Sequence, residues 1–328
     1  MSALLNLTQP RLTRGQRLSH MTEPSEWLPV DWRNGEMLWR HLGAQALDTP
    51  FFADQFLSQN PAQRLLYGSD LASTRQLLQA GRICTPSAII FHSSRCGSTL
   101  LMQMLACLPH CIALSEPPLL DACLQALHDG QAGPEWLALS LQALSLARLP
   151  QQQYMILKTD CWQLPELPLL RAALPQVPMY FLYREPAAVL ASHQRQCGPQ
   201  MIPGMLDAAR LGLPPQEVSF ADWPAHLLLH LLQQAQQLHH THGLQLLNYS
   251  ELPTLVWQTL LPAWGIACSP AQLQAMQDRS ARHGKSLQPW QGEHLPLQAP
   301  VPALQQAYLA LELLRERQNN VQKNSAKQ

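Results

Sequence analysis

Two groups of residues in this chain can do chemistry together: one suited to holding an anion, the other to moving a proton beside it. The holder is Arg95-Cys96-Gly97-Ser98-Thr99, between the apolar run "SAIIFH" (87–92) and a helical pattern over 99–108. A strand, a tight polar turn and a helix place successive backbone N–H groups at a helix N-terminus, where the dipole favours negative charge. Gly97 permits close backbone approach, Ser98 and Thr99 add hydroxyl donors, and Arg95 adds a permanent forked cation. Read alone, the segment fits an anion cradle and a capped helix equally well. The proton movers are Glu116, directly after "CIALS" (111–115), and Asp160, directly after "YMILKT" (154–159). An attacking hydroxyl needs such a base within hydrogen-bond reach. Lys158, two residues before Asp160, can steady transferred charge.

An ATP phosphate loop requires G-x-x-x-x-G-K-[ST]. Here the first glycine is absent and no lysine stands between Gly97 and Ser98. A second near miss, "ARHGKS" (281–286), has Arg279 where the first glycine belongs, and no strand precedes it. An apolar strand ending in Asp160 is nonetheless also a metal-nucleotide pattern, so a phosphotransferase of the kinase type stands as the alternative. His239, His240 and His242 read as a solvated helix end, because near neighbours on a helix point in different directions. The eight cysteines form no CxxC pair and read as reduced packing residues, so no metal site is expected.

Elements that can position these groups follow from the apolar rhythm. Candidate strands at 87–92, 111–115, 154–159, 179–184 and 244–249 alternate with helical stretches near 99–108, 117–127, 134–147, 166–174, 186–196 and 222–242. That alternation predicts an α/β fold: a three-layer, P-loop-type domain around a mostly parallel sheet, with ligands at the carboxyl ends of its strands. Residues from about 25 to 82 read as helices broken by Pro and Gly, giving a helical N-terminal extension over 1–82. The α/β domain is placed at 83–318 and a disordered tail at 319–328, with the first 20 residues frayed. Pro and Gly make 196–222 loop-like, a cover for the site.

Composition narrows the partners. The chain has 328 residues, 46% hydrophobic and only 13% charged, with a formal net charge of zero. A nucleic-acid binder needs a basic face, so nucleic acid is not expected as a partner. A small anion needs only a few cations. No apolar run reaches the roughly 18 residues of a membrane span and the N-terminus lacks a signal-type apolar core, so the expectation is a cytoplasmic protein off the membrane.

The segment "FHSSRCGSTLL" resembles the 5′-phosphosulfate loop of the sulfotransferase family, in which Arg or Lys, a small residue, Gly and two hydroxyl residues open a helix. Three later stretches are similar to that family in the same order. "YFLYREPAAVLASHQR" (180–195) resembles its 3′-phosphate segment, with Arg184 at a strand end and Ser192 two turns into the next helix. "LLNYSELPTLVWQTLLPAWGI" (246–266) resembles its adenine-side strand and turn, which places Tyr249 by the base; Ser250-Glu251 replaces the usual Glu-Asp. "SARHGKSLQPW" (280–290) resembles the closing basic loop, with Arg282, Gly284 and Lys285 near the 3′-phosphate.

The resemblance covers about 88 to 290. It implies 3′-phosphoadenosine 5′-phosphosulfate (PAPS) as sulfuryl donor, no metal, and a hydroxyl or amine of a small-molecule or carbohydrate-like acceptor. Glu116-Pro117 is similar to the Glu-Pro element of carbohydrate-type and bacterial members, which makes Glu116 the base ahead of Asp160. A non-catalytic relative that keeps the fold is the remaining reading.

Overall fold

The computed structural model describes residues 12–213, 218–289 and 301–325. Five parallel strands, β5 (Thr85–His92), β6 (Cys111–Ser115), β7 (Tyr154–Lys158), β8 (Met179–Tyr183) and β9 (Gln245–Asn248), form a sheet in the order β6-β7-β5-β8-β9. Each is short, apolar and buried. Along β5, Ile89 and Phe91 join one core while Ala88 and Ile90 join another, so the alternation of a strand feeds both faces. The helices between the strands cover both sides, giving the expected three-layer α/β domain of the P-loop type.

The strand order decides where a ligand can sit. From central β5 the chain leaves toward β6 on one side, whereas from adjacent β8 it leaves toward β9 on the other. A crevice opens between loops that diverge in this way. The β5 loop leads to α2 (Ser98–Leu105), and the β8 loop to α6 (Pro186–Arg195), whose first residue is proline as a helix start favours.

The N-terminal extension is mainly a sheet, and its expected α-helical character holds only at its end. It is a four-stranded sheet in the order β1-β4-β3-β2, built from β1 (Gln16–Arg17), β2 (Trp27–Arg33), β3 (Glu36–His41) and β4 (Leu65–Ser69), followed by one helix, α1 (Leu71–Ala80). The overlooked signal is Asn34-Gly35. With φ of 54° and 78° these residues make the left-handed two-residue turn that joins β2 to β3, with Arg33 opposite Glu36. The apolar run of β2 is buried on both faces, which hides the strand alternation. Nor are all of the first 20 residues frayed: Leu12 is buried and Gln16 and Arg17 pair with Leu65 and Leu66. Residues 1–11 lie outside the described residues.

This unit is packed into the main domain. Trp32 meets Trp136 of α4 (Pro134–Leu144) edge-on at 5.8 Å, and buried Arg148 donates to the carbonyls of Trp27 and Gln45 at 3.0 and 3.2 Å. Among the described residues, the other α-helices longer than one turn are α3 (Pro118–His128), α5 (Leu167–Ala173), α7 (Trp223–His242), α8 (Pro270–Ser280) and α9 (Pro302–Ser325). The tail set apart at 319 is in fact the end of α9 as far as Ser325; 326–328 lie outside the described residues. Polar composition misled here because Gln318 works as an edge cover: its amide accepts from Leu246 N–H at 2.9 Å and donates to Leu246 C=O at 3.1 Å.

Candidate functional site

A cavity of about 380 Å³ opens at the carboxyl ends of β5, β6, β7 and β8, within the usual range for small-molecule sites. Its wall begins in the turn after β5. Ser94 and Arg95 adopt left-handed φ of 66° and 49°, and Gly97 follows at 81°. This winding turns backbone amides toward one centre at the start of α2. Non-glycine residues rarely hold φ above zero, so neighbours must fix them. His92 Nδ1 accepts from Ser94 N–H at 3.0 Å, Gln200 donates to Ser94 Oγ at 2.9 Å, and Arg95 donates to the Gln196 carbonyl at 2.5 Å. Cys96 faces inward, its thiol 3.1 Å from the Leu182 carbonyl.

Across the crevice, Arg184 leaves the end of β8. Its guanidinium donates to the Arg95 carbonyl at 3.4 Å and lies 4.3 Å from the centre of the Tyr249 ring. Tyr249 therefore carries Arg184 on its ring and packs its edge against Gly97. A Cβ placed on Gly97 would lie 2.7 Å from that ring. Ser192 is buried one side of α6 in the cavity wall, and the Arg282–Lys285 turn closes the other side. Arg279 of α8 holds that turn, donating to the carbonyls of His283 and Gly284 at 3.2 and 3.0 Å. Gly284 sits so near α2 that an added Cβ would lie 3.1 Å from Leu100 N.

Positive charge is concentrated here. Burial first, then the nearby Arg95 and Lys158, lowers the Lys285 pKa, and burial with Arg95 and Lys285 holds His193 down at about 3. Cations that raise one another's charging cost are stabilised by an anion placed among them.

The carboxylates stand at the other end of the cavity. Glu116 has a left-handed φ of 57°, fixed by its N–H bonding to the Lys158 carbonyl at 2.8 Å. Its Oε1 lies 2.9 Å from Lys158 Nζ and 3.5 Å from His92 Nε2. Burial opposes its charge, but Lys158 and His92 outweigh burial and bring the Glu116 pKa down to about 2. Asp160 goes the other way: burial and the charges of Glu116 and Asp121 push its pKa well above the ordinary carboxyl value. Neighbouring acids with opposed shifts separate their chemical roles.

Of the residues singled out in the sequence, Arg95, Cys96, Gly97, Ser98, Thr99, Glu116, Asp160, Arg184, Ser192, Tyr249, Arg282, Gly284 and Lys285 all line this one cavity. Lys158 does not. Fully buried at the end of β7, it bridges Glu116 to Thr99, whose hydroxyl is 3.4 Å away. Sequence reading missed Phe51, His92 as a wall residue, Trp162 and His283. Phe51 comes from the N-terminal unit, and its ring centre lies 5.0 Å from Lys158 Nζ and 5.4 Å from Lys285 Nζ. No local signal marks it, because only packing of the N-terminal unit brings it to the sheet edge.

The strand order and the wound turn that opens α2, with cations around it, define a P-loop-type α/β protein. No family model and no curated protein matches the chain. Among solved structures it is similar to the sulfotransferase domain from the curacin biosynthetic pathway, at 16% identity and a TM-score of 0.43, covering 70% of this chain and 99% of that one. It is similar to a sulfotransferase from Alicyclobacillus acidocaldarius at 12% identity and a TM-score of 0.37, covering 61% and 94%. A mouse sulfotransferase complexed with PAP matches at 9% identity and a TM-score of 0.32, covering 64% and 69%. Among the described residues no helix is long and apolar enough to cross a membrane.

Proposed function

We propose that this chain is a PAPS-dependent sulfotransferase acting on a hydroxyl, or an amine, of a small-molecule or carbohydrate-like acceptor. The observation that carries the reading is the convergence, in one cavity, of a backbone cradle bearing Arg95, a second cation set of Arg184, Arg282 and Lys285, and the ionised carboxylate of Glu116. The cation set fits a doubly anionic nucleotide, since burial first, and then Arg95 and Lys158, lower the Lys285 pKa, and a bound anion offsets both costs of its charge. PAPS, when bound, supplies an activated sulfuryl group on a phosphate leaving group.

The chain's own residues then have separable tasks. Arg95, Gly97, Ser98 and Thr99 hold the 5′ anion at the N-terminus of α2. Arg184 and Ser192, with Arg282 and Lys285, hold the 3′ phosphate. The face of Tyr249 that bears Arg184 is engaged, so adenine contact falls to the remainder of that ring. Negative charge that builds on a leaving oxygen is stabilised by donors already in place, and Arg95 with the α2 amides meets that need.

Glu116 accepts the acceptor proton. It is the carboxylate kept ionised, whereas Asp160 is pushed toward its neutral form and suits hydrogen-bond donation. Lys158 acts from behind the wall, keeping Glu116 charged and tying it to Thr99.

Calorimetry with 3′-phosphoadenosine 5′-phosphate (PAP) against ATP with magnesium tests the reading. PAP binding tighter than magnesium-ATP binding is expected. The reverse order would replace the proposal with the kinase-type alternative, and binding of neither would leave a fold without this function.

A further inference from the structure

The proton-accepting carboxylate and the anion cradle come from different strands, and besides Lys158, which reaches Thr99, a second side chain touches both Glu116 and the cradle backbone. His92, the last residue of β5 and only 5% exposed, has its two ring nitrogens committed in opposite directions. Nδ1 accepts the Ser94 N–H at 3.0 Å, at the first left-handed residue of the cradle. Nε2 lies 3.1 Å from the Thr159 carbonyl, between Lys158 and Asp160, and 3.5 Å from Glu116 Oε1. A backbone N–H facing Nδ1 leaves the ring proton on Nε2, so the imidazole donates toward Thr159 and Glu116.

We propose that His92 is a positioning residue for sulfuryl transfer, locking the Glu116 carboxylate and the donor cradle into one rigid unit. This rests on the sulfotransferase reading above. The geometry at Glu116 carries it. Lys158 and His92 both engage Oε1, so the carboxylate is gripped at one oxygen, and Oε2 is the oxygen left for an acceptor proton. Lys158 alone supplies charge but only a single axis of attachment; the second contact from His92 fixes rotation about it.

The same ring sets the Ser94 amide, the first of the turn that leads to Arg95 and Gly97. Movement of the cradle is therefore felt at the base and the reverse. Removing the imidazole frees Glu116 to rotate and relaxes the turn. The groups facing Glu116 besides His92 are Lys158, Asp160, Cys161, Lys285 and Asp54, and none of them reaches Ser94 in the described contacts.

The test compares the full-length protein with His92→Leu, Glu116→Gln and the double variant. Sulfuryl release is read as PAP formed from PAPS with water or any supplied alcohol as acceptor. Carbon-13 NMR of glutamate-labelled protein follows the Glu116 titration. His92→Leu is expected to lower turnover about tenfold or more and to raise the Glu116 midpoint. In the Glu116→Gln background it should lower turnover clearly less than in the unmodified protein, leaving only the part that acts through the cradle, because neighbours in one network are non-additive.

Additive losses in the double variant, or an unmoved Glu116 titration in His92→Leu while PAP still binds, overturn the proposal for His92. Failure of the unmodified protein to bind PAP instead overturns the sulfotransferase reading; a moved titration would then leave the contact real and its catalytic meaning void. His92→Asn, which can restore one donor, should recover part of the turnover. Recovery of melting temperature without turnover would mark His92 as merely structural.

Discussion

Replacing Gly97 with alanine should disable the donor site through Tyr249 rather than through the cradle alone. Gly97 has φ 81° and ψ 6°, a left-handed conformation that costs an alanine roughly 1–2 kcal/mol. The added Cβ would lie 2.7 and 2.8 Å from two Tyr249 ring atoms, closer than real contacts allow, and a tight 3.0 Å from Leu252 Cδ1. Overpacking of this kind costs about 1–3 kcal/mol. Tyr249 must move, and it carries the Arg184 guanidinium 4.3 Å from its centre, a contact worth about 0.5–1 kcal/mol.

The sum is roughly 2.5–6 kcal/mol, divided between stability and PAP affinity. A 2 kcal/mol share in binding would weaken PAP about 30-fold. Titration calorimetry and a thermal melt measure the two shares. Tyr249→Ala should relieve the overlap, so Gly97→Ala in that background should cost only the backbone part. Unchanged PAP affinity and melting temperature in Gly97→Ala would refute this reasoning. So would additivity of the two substitutions within about 0.5 kcal/mol, the margin for independent sites.

Arg184→Ala should weaken PAP by about 1–3 kcal/mol, the range for a charged hydrogen bond, while adenosine monophosphate is held nearly as before; equal losses for both ligands, read by calorimetry, would take Arg184 off the 3′ phosphate. Glu116→Gln should reduce turnover by about 100-fold or more with PAP affinity changed less than threefold, as expected for loss of a general base. Lys158→Met leaves Glu116 half-enclosed without its cation and should cost about 3–5 kcal/mol in urea unfolding at neutral pH. The sign of its pH dependence is fixed. The folded Glu116 pKa of about 2 is below its ordinary value of 4.5, so the pair's stabilisation is complete above pH 4.5 and disappears as pH falls toward 2. The cost of Lys158→Met should shrink over that window, and a cost independent of pH between 5 and 3 would contradict the pairing.

The sequence by itself determined the main domain. Buried parallel strands must be apolar throughout and must end in turns, so all five were visible as short apolar runs, within two residues of where they lie. The cradle and the basic turn were visible because glycine, proline and arginine have local consequences for backbone and charge that hold in any fold. Residues whose role depends on distant neighbours were not legible. The "WLPVDWR" strand of the N-terminal sheet hides its alternation because both of its faces are covered, and its Asn34-Gly35 turn was the only local clue.

Tertiary structure alone decided the rest. It brought Phe51 to the cavity from 44 residues before Arg95. It placed Lys158 behind the wall, although its sequence position beside Asp160 pointed into the site. It also shifted the two carboxylates in opposite directions, since a pKa is set by burial and by charges in space, not by order along the chain. Glu116 and Asp160 each follow a strand in the same way; only burial and the packing of Lys158, His92 and Asp121 around them shift one down and the other up.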